Sequence, residues 1–410
     1  MDVDGPKGHD LWQRADRVLP GGSVYLTRSA DMAGRGLLPG FITSANGCRV
    51  TDVDGREYID YQGANGPNLL GYRHPEVEAA ARAQADNMTS ASFLSPSLVE
   101  VVETLLSASP GFDWGMVAKT GSEVVSLGVR FARALTGRRD IVTFQRAYHG
   151  SDPELALRPP AGALEQVVAH VHRIPWNEAG ALMDFCEAHG DTVAAIVLNP
   201  LDQNPGRPTA TADADFLTAI NTVREKFGIQ LVFDDVRHGF RMHPEGSHRA
   251  LGIDPDIACL GKALGNGYAI SGLLAKEHLR EAARKILYTS TYVFETPPMQ
   301  AAITTLTVYR RDDAFGHMVA MGERLRDGIT ACADAAGLDI SYTGPVTMPT
   351  LLFNNDKGLT RLKQFAGLAA EGGVILHPMA NWMLSAAHGP ADIDETISVA
   401  SAAMAKVAAA

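Results

Sequence analysis

Residues 193–236 read VAAIVLNPLDQNPGRPTATADADFLTAINTVREKFGIQLVFDDV. The stretch begins and ends with short apolar runs, at 193–198 and 229–233, and each run is typical of a buried strand. Between them, residues 214–226 have the spacing of an amphipathic helix. A strand, a helix and a second strand in this order form a parallel crossover unit, so the stretch predicts an α/β fold.

The same alternation extends outward from this stretch. Further strands are predicted at 116–119 and 141–144, and further helices at 122–135 and 177–188. We therefore expect a large domain over 67–298, with a mostly parallel central sheet and helices on both faces. Residues 1–66, which contain a hairpin signal around Asp54-Gly55, and 299–410 are expected to form a smaller α+β lobe from both chain ends.

Composition limits the classes of function. The 410 residues carry a net charge of −11, with Lys and Arg scattered along the chain, which argues against nucleic acid as a partner. No apolar run approaches the length of a membrane span, and no secretory signal opens the sequence. The four cysteines form no cluster typical of a metal site, so we expect reduced thiols, a cytoplasmic location and no structural metal.

Two polar features follow predicted strands, at the edge where open α/β sheets bind ligands. Thr120-Gly121-Ser122 opens a helix, and free N–H groups at a helix start suit a phosphate; the same residues are also typical of an ordinary cap formed by Ser122. Asp234 or Asp235 ends an apolar strand. A carboxylate there needs a cation, which a protonated pyridine nitrogen would supply; the alternative is a loop cap or a pair with Arg237 or Arg241.

A lysine and a tyrosine complete the candidate site. Lys262 lies in the glycine-dense segment 259–267, where loss of hydration would lower its pKa and make the amine a nucleophile. A surface lysine on a loop is the alternative. Tyr148 follows the strand 141–144 and offers an aromatic face for a flat cofactor, with simple packing of its ring as the alternative.

Taken in order, these pieces resemble the class III (fold type I) aminotransferases that depend on pyridoxal 5'-phosphate (PLP), and among them the glutamate-1-semialdehyde aminomutase group. The resemblance covers nearly the whole chain. The segments that carry it are Pro20-Gly21-Gly22, Thr51-Asp52-Val53-Asp54-Gly55, Leu70-Gly71-Tyr72-Arg73-His74-Pro75, Thr120-Gly121-Ser122-Glu123, Tyr148-His149-Gly150, Asp234-Asp235-Val236, Gly239-Phe240-Arg241 and Leu260-Gly261-Lys262.

The resemblance implies a role for each matching residue. Lys262 matches the lysine that holds PLP as a Schiff base and moves the proton. Asp234 matches the carboxylate at the pyridine nitrogen, Val236 the residue under the ring, and Tyr148 the stacking aromatic. The remaining cofactor contacts are implied for Gly121, Ser122, Asn204 and Thr291.

Among these contacts, Gly121 and Ser122 match the phosphate turn, and Asn204 matches a polar contact near the ring hydroxyl. Thr291 matches a threonine that reaches the phosphate of the partner subunit, so the resemblance also implies a homodimer with shared active sites.

Substrate contacts are implied less directly. Arg28 falls where related enzymes hold a substrate carboxylate, and its alternative is a structural or surface arginine. The sequence also departs from the family at three places. Asn65 occupies the position where the aminomutases have Trp, and Asn199 occupies the position where the family usually has Glu. Residues 294–297 lack the family's usual Gly-Asn-Pro.

The leading hypothesis is transfer of an amino group between an amino donor and an oxo acceptor, with a carboxylate on at least one substrate. Intramolecular transfer, as in the aminomutase, is less favoured because the segment between Gly150 and Ile174 is shorter than the family's gating loop. Racemisation or decarboxylation on PLP, and a catalytically inactive PLP fold, are further hypotheses that the same residues allow. A nicotinamide-dependent oxidoreductase lacks support, since no G-x-G-x-x-G follows an early strand.

Overall fold

The computed structural model describes residues 2–23, 34–156 and 161–410. The chain divides into two compact units. The first unit comprises Met1–His74, Gln203–Ala210 and Asp312–Ala410, and the second unit comprises Pro75–Asp202 and Thr211–Arg311.

Strands and helices are numbered along the described residues. The strands are β1 (Ile42–Asn46), β2 (Arg49–Asp52), β3 (Glu57–Asp60), β4 (Trp114–Ala118), β5 (Asp140–Phe144), β6 (Val171–Ile174), β7 (Val193–Leu198), β8 (Leu201–Asp202), β9 (Ala210–Thr211), β10 (Gln230–Asp234), β11 (Ile257–Leu260), β12 (Ser271–Ala275), β13 (Ile340–Thr343), β14 (Thr350–Phe353) and β15 (Val374–Ile375). The α-helices are α1 (Pro6–Val18), α2 (Pro75–Asn87), α3 (Pro96–Ala108), α4 (Gly121–Thr136), α5 (Glu165–Val168), α6 (Ala179–His189), α7 (Ala214–Phe227), α8 (Ser247–Leu251), α9 (Arg280–Arg284), α10 (Pro297–Arg311), α11 (Ala314–Ala335), α12 (Thr360–Glu371) and α13 (Pro390–Ala408).

The second unit contains a seven-stranded sheet in the order β4-β12-β11-β10-β7-β5-β6. Strand β12 runs antiparallel to both neighbours, and the other strands run in one direction. The predicted α/β fold with a mostly parallel sheet is therefore confirmed. As a result, the carboxyl ends of β4, β5, β7, β10 and β11 lie at one edge of the sheet.

Both faces of this sheet are covered, which explains why its strands are apolar throughout. All six residues of β7 are buried. Its alternate residues enter two separate cores: Ala195 and Val197 pack in the core that includes α4, and Ile196 and Leu198 in the core that includes α6 and α7. Successive side chains of a strand point to opposite faces, so a strand between two helix layers has no polar side.

In the first unit, β1, β2, β3 and β15 form a sheet. The predicted hairpin is present as β2 and β3, which pair antiparallel. Strand β15, from the C-terminal part of the chain, pairs parallel with β3, so distant parts of the sequence share one sheet. None of the helices in the described ranges is long and apolar enough to cross a bilayer.

Candidate active site

The start of α4 offers free backbone donors at the carboxyl end of β4. Thr120 Oγ1 accepts a hydrogen bond from Glu123 N (3.3 Å), and Glu123 Oε2 accepts from Thr120 N (2.8 Å). The cap is therefore Thr120, not Ser122. The first amides of a helix have no intrahelical acceptor, so the N–H groups of Gly121 and Ser122 remain available at the positive end of the helix dipole, which suits an anion.

Two glycines pack directly against Val236. A Cβ atom on Gly121 would lie 2.5 Å from Cγ1 of Val236, and a Cβ on Gly261 would lie 3.1 Å from the same atom. Only residues without a side chain allow this approach of the segments that follow β4, β10 and β11. Gly121 and Gly261 thus form a cradle for the Val236 side chain, which a larger residue at either position would displace.

Asp234 ends β10 and is held by a buried chain of hydrogen bonds. Its Oδ2 lies 2.8 Å from His149 Nδ1, and His149 Nε2 lies 2.8 Å from Thr143 Oγ1. All three side chains are buried, and Asp234 Oδ1 also accepts from Val236 N (3.2 Å). The histidine orients the carboxylate, a role that was not predicted. The signal that could have revealed this role is a histidine that directly follows Tyr148, after a strand that lies two places from β10 in the sheet.

The neighbouring acid has a different environment. Asp235 is buried, and its Oδ2 accepts from Ser247 N (2.7 Å). Burial raises the pKa of Asp235 to about 7, and the charge of Asp234 adds to the effect. The strand pattern alone left open which of the two acids faces a ligand, and the resemblance implied Asp234; the structure connects Asp234, not Asp235, to the His149 chain.

Lys262 follows β11 in a strained conformation. It begins the 3₁₀ helix Lys262–Gly265 with φ of +40°, which a non-glycine residue adopts only at a cost of about 1–3 kcal/mol. Burial, followed by the positive charge of Arg237, lowers the pKa of Lys262 to about 8, although Asp234 opposes the shift. Burial also lowers the pKa of Arg237 and of Arg241 to about 10. The surface-lysine alternative is therefore wrong, because Lys262 is not exposed and burial favours the neutral form of its amine.

Tyr148 and Asn199 lie beside Asp234. The side chain of Tyr148 is 59% exposed, so the other described residues leave much of its ring uncovered. Burial of part of the side chain, with the charge of Asp234, raises the pKa of Tyr148. Asn199 follows β7 where Leu198 pairs with Phe233, and its Nδ2 donates to Tyr148 O at 3.4 Å.

The second unit thus brings together Gly121, Ser122, Tyr148, Asp234, Val236 and Lys262, and Thr291 lies exposed in the same unit, in the 3₁₀ helix Thr291–Phe294. Asn65, with φ of +70°, and Asn204 belong to the first unit. Arg28 lies outside the described residues. No cluster of three or more possible metal ligands occurs in the parts of the chain that the structure describes.

This set of groups fits a flat, phosphorylated aldehyde. The helix start suits its phosphate, the exposed ring of Tyr148 offers an aromatic face, the buried acid suits a ring cation, and the amine has a lowered pKa that favours attack on an aldehyde.

Comparison with known proteins gives a consistent result. The family model described as Aminotransferase class-III matches residues 32–386. The aminopentol aminotransferase of Sphingopyxis macrogoltabida is 38% identical and covers 96% of this chain and 93% of its own length. A glutamate-1-semialdehyde 2,1-aminomutase of Desulfitobacterium hafniense is 29% identical, with 97% coverage of both proteins. The solved PLP internal aldimine form of the Sphingopyxis sp. MTA144 FumI protein has a TM-score of 0.95 and 37% identity, with 98% of this chain and 97% of that chain covered.

Proposed function

The chain belongs to the class-III aminotransferase family and is a PLP-dependent aminotransferase, and on this premise we propose that Lys262 and Asp234 form its catalytic pair. It moves an amino group between a small-molecule donor and an oxo acceptor. The resemblance, the enzyme class and the cofactor inferred from the sequence are confirmed.

One observation carries the proposed roles. A desolvated amine and a buried, oriented carboxylate follow the adjacent strands β11 and β10, and Val236, which comes directly after the two acids, packs against Gly261, the residue before Lys262. Carboxylates and amines are rarely buried without a partner. Their common position at the carboxyl edge of the sheet indicates a shared ligand between them.

PLP, when bound, supplies an aldehyde that accepts the amino group and a ring that stores the electron pair released at the substrate carbon. Lys262 Nζ would hold the cofactor through its aldehyde, and as a free amine it would take and return the substrate proton. Asp234, oriented by His149, would keep the ring nitrogen protonated. Tyr148 and Val236 would contact the ring.

The phosphate is assigned to the N–H groups of Gly121 and Ser122 and to the Ser122 hydroxyl. We assign Asn204 to the ring hydroxyl, and Arg28 and Asn65 to the substrate. We also propose that the second unit is the core of the cofactor-binding domain predicted over 67–298, and that residues 1–66 and 299–410 form the smaller domain.

The two substrates are proposed to differ in charge. The name of the aminopentol aminotransferase describes an amine with several hydroxyl groups, which supports a hydroxylated alkylamine as the donor here. An oxo acid is the proposed acceptor, because Arg28 can pair with its carboxylate in two parallel hydrogen bonds. Asn199, where related enzymes have Glu, removes a charge that would repel this carboxylate.

We further propose a cytoplasmic homodimer. Four buried free cysteines support a reducing compartment. Phe93 and Leu287 are each 84% exposed, and Tyr292 is 67% exposed. A β-bridge between Ser90 and Glu295 brings the segment of Phe93 next to the segment of Tyr292. These exposed side chains therefore support an apolar surface beside Thr291, which we propose is covered by a second copy of the chain.

The test is a half-reaction followed by absorption. Purified enzyme with PLP is mixed with a hydroxylated alkylamine, and then with pyruvate or its uncharged amide. We expect the amine to bleach the band of covalently bound cofactor and pyruvate, not the amide, to restore it. Formation of an isomer with no acceptor would favour the aminomutase instead. Lys262→Ala should lack the band, with Lys276→Ala as the control; a band that persists in Lys262→Ala would refute the assignment.

A further inference from the structure

Two contacts attach the segment around Thr291 to the start of α4. On one side of Thr291, the Tyr288 hydroxyl donates to Glu123 Oε1 at 3.3 Å. On the other side, Lys119 Nζ lies 3.0 Å from Glu295 Oε2. Thr291 is exposed between these two attachments.

Both contacts end at residues that border the phosphate turn. Lys119 immediately precedes Thr120-Gly121-Ser122, and its N–H donates to Glu123 Oε2 at 3.1 Å. Glu123 is the acid of the helix cap. The turn and the segment 288–295 are therefore joined through one network of two carboxylates, one amine and one phenol.

Removal of one partner from this ion pair costs more than it would in an ordinary surface pair. The Lys119 side chain is only 12% exposed, so loss of Glu295 would leave a largely desolvated ammonium group without its partner.

We propose that Lys119 and Glu295 are positioning residues that set the affinity for the cofactor phosphate, because they fix the Thr291 segment relative to the phosphate turn. The inference rests on the proposed role of Thr291 and on the proposed dimer. In that dimer, the turn binds one phosphate while the attached segment reaches the phosphate of the partner subunit. The ion pair thus links the two active sites.

A direct electrostatic role for Lys119 predicts a change in PLP affinity of the opposite sign when Glu295 is replaced. If its charge simply attracted the phosphate, Glu295 would weaken that attraction, and Glu295→Gln would tighten PLP binding. If the pair positions Thr291, Glu295→Gln loosens the segment and weakens PLP binding. The sign of the change therefore separates the two explanations.

The experiment compares PLP with pyridoxal, which lacks the phosphate. Apoenzyme is titrated with each compound, with intrinsic fluorescence as the signal. For Glu295→Gln and Lys119→Met we expect PLP affinity to fall about five-fold, near the upper end for one partly exposed ion pair, and pyridoxal affinity to stay the same. The exchange variant Lys119→Glu/Glu295→Lys should regain PLP affinity. Lys276→Met, which breaks an equivalent pair with Asp254 in the same unit, is the control.

A further variant shows whether the effect passes through Thr291. In Thr291→Ala, added Glu295→Gln should have little further effect on PLP affinity, because the contact that it positions is already lost. Equal losses for PLP and pyridoxal, additive effects, or tighter binding by Glu295→Gln would each overturn the inference. The proposed function fails separately, if wild-type enzyme does not attach PLP to Lys262.

Discussion

The lowered pKa of Lys262 has a measurable consequence for cofactor attachment. Only a neutral amine attacks an aldehyde. A fall in the pKa from 10.5 to about 8 raises the neutral fraction at pH 7 about 300-fold, since each pKa unit is a factor of ten. Because the neutral form accumulates as the pH rises, attachment of PLP to apoenzyme should accelerate through a midpoint near pH 8 and level off above it.

The perturbation is Arg237→Met. Burial is the larger cause of the shift and the positive charge of Arg237 the next, so removal of that charge should move the midpoint upward. At pH 7 the variant should attach PLP more slowly, and at pH 10 the two rates should converge. Arg284→Met removes a cation that pairs with Glu281 on the surface of the same unit and should leave the midpoint in place.

The assay is stopped-flow absorption of apoenzyme with excess PLP between pH 6 and 10, with a simple alkylamine in the same buffers as the reference for the titration of PLP itself. A wild-type midpoint near 10.5, or a downward movement in Arg237→Met, would refute the reasoning. The first result would mean that the amine is hydrated, and the second that Arg237 acts on Lys262 through something other than its charge.

Three further predictions concern other parts of the site and surface. His149→Leu should lower kcat roughly 10- to 100-fold, because it removes a buried hydrogen bond of about 1.5–3 kcal/mol to the Asp234 carboxylate, and steady-state kinetics at saturating PLP would contradict this if kcat were unchanged. Gly121→Ala should weaken PLP binding by about 1–3 kcal/mol because its Cβ would overlap Val236, as measured by equilibrium titration; wild-type affinity would show that the cradle can widen. Phe93→Glu should shift the protein towards monomer in sedimentation velocity, whereas Val18→Glu, at an exposed apolar residue of the first unit, should not; an intact Phe93→Glu dimer would place the interface elsewhere.

The general form of this protein could be predicted from local sequence because its signals are local. Strands such as β7 and β10 are apolar along their whole length, and α7 between them is amphipathic, so the crossover unit is visible within one stretch. The edge where the site lies follows from the parallel direction of the strands. Lys262, with glycines around it, was recognisable for the same reason.

Tertiary structure decided the contacts between residues far apart in the chain. The strand pattern offered two adjacent acids, of which the resemblance favoured Asp234, and the approach of His149, 85 residues away, gives the physical reason that Asp234 is the oriented one. Similarly, the pairing of Lys119 with Glu295 depends on how α4 packs beside the segment 288–295. Hydrogen bonds and ion pairs act over a few ångströms, and a sequence read locally does not specify which distant side chains the fold brings within that range.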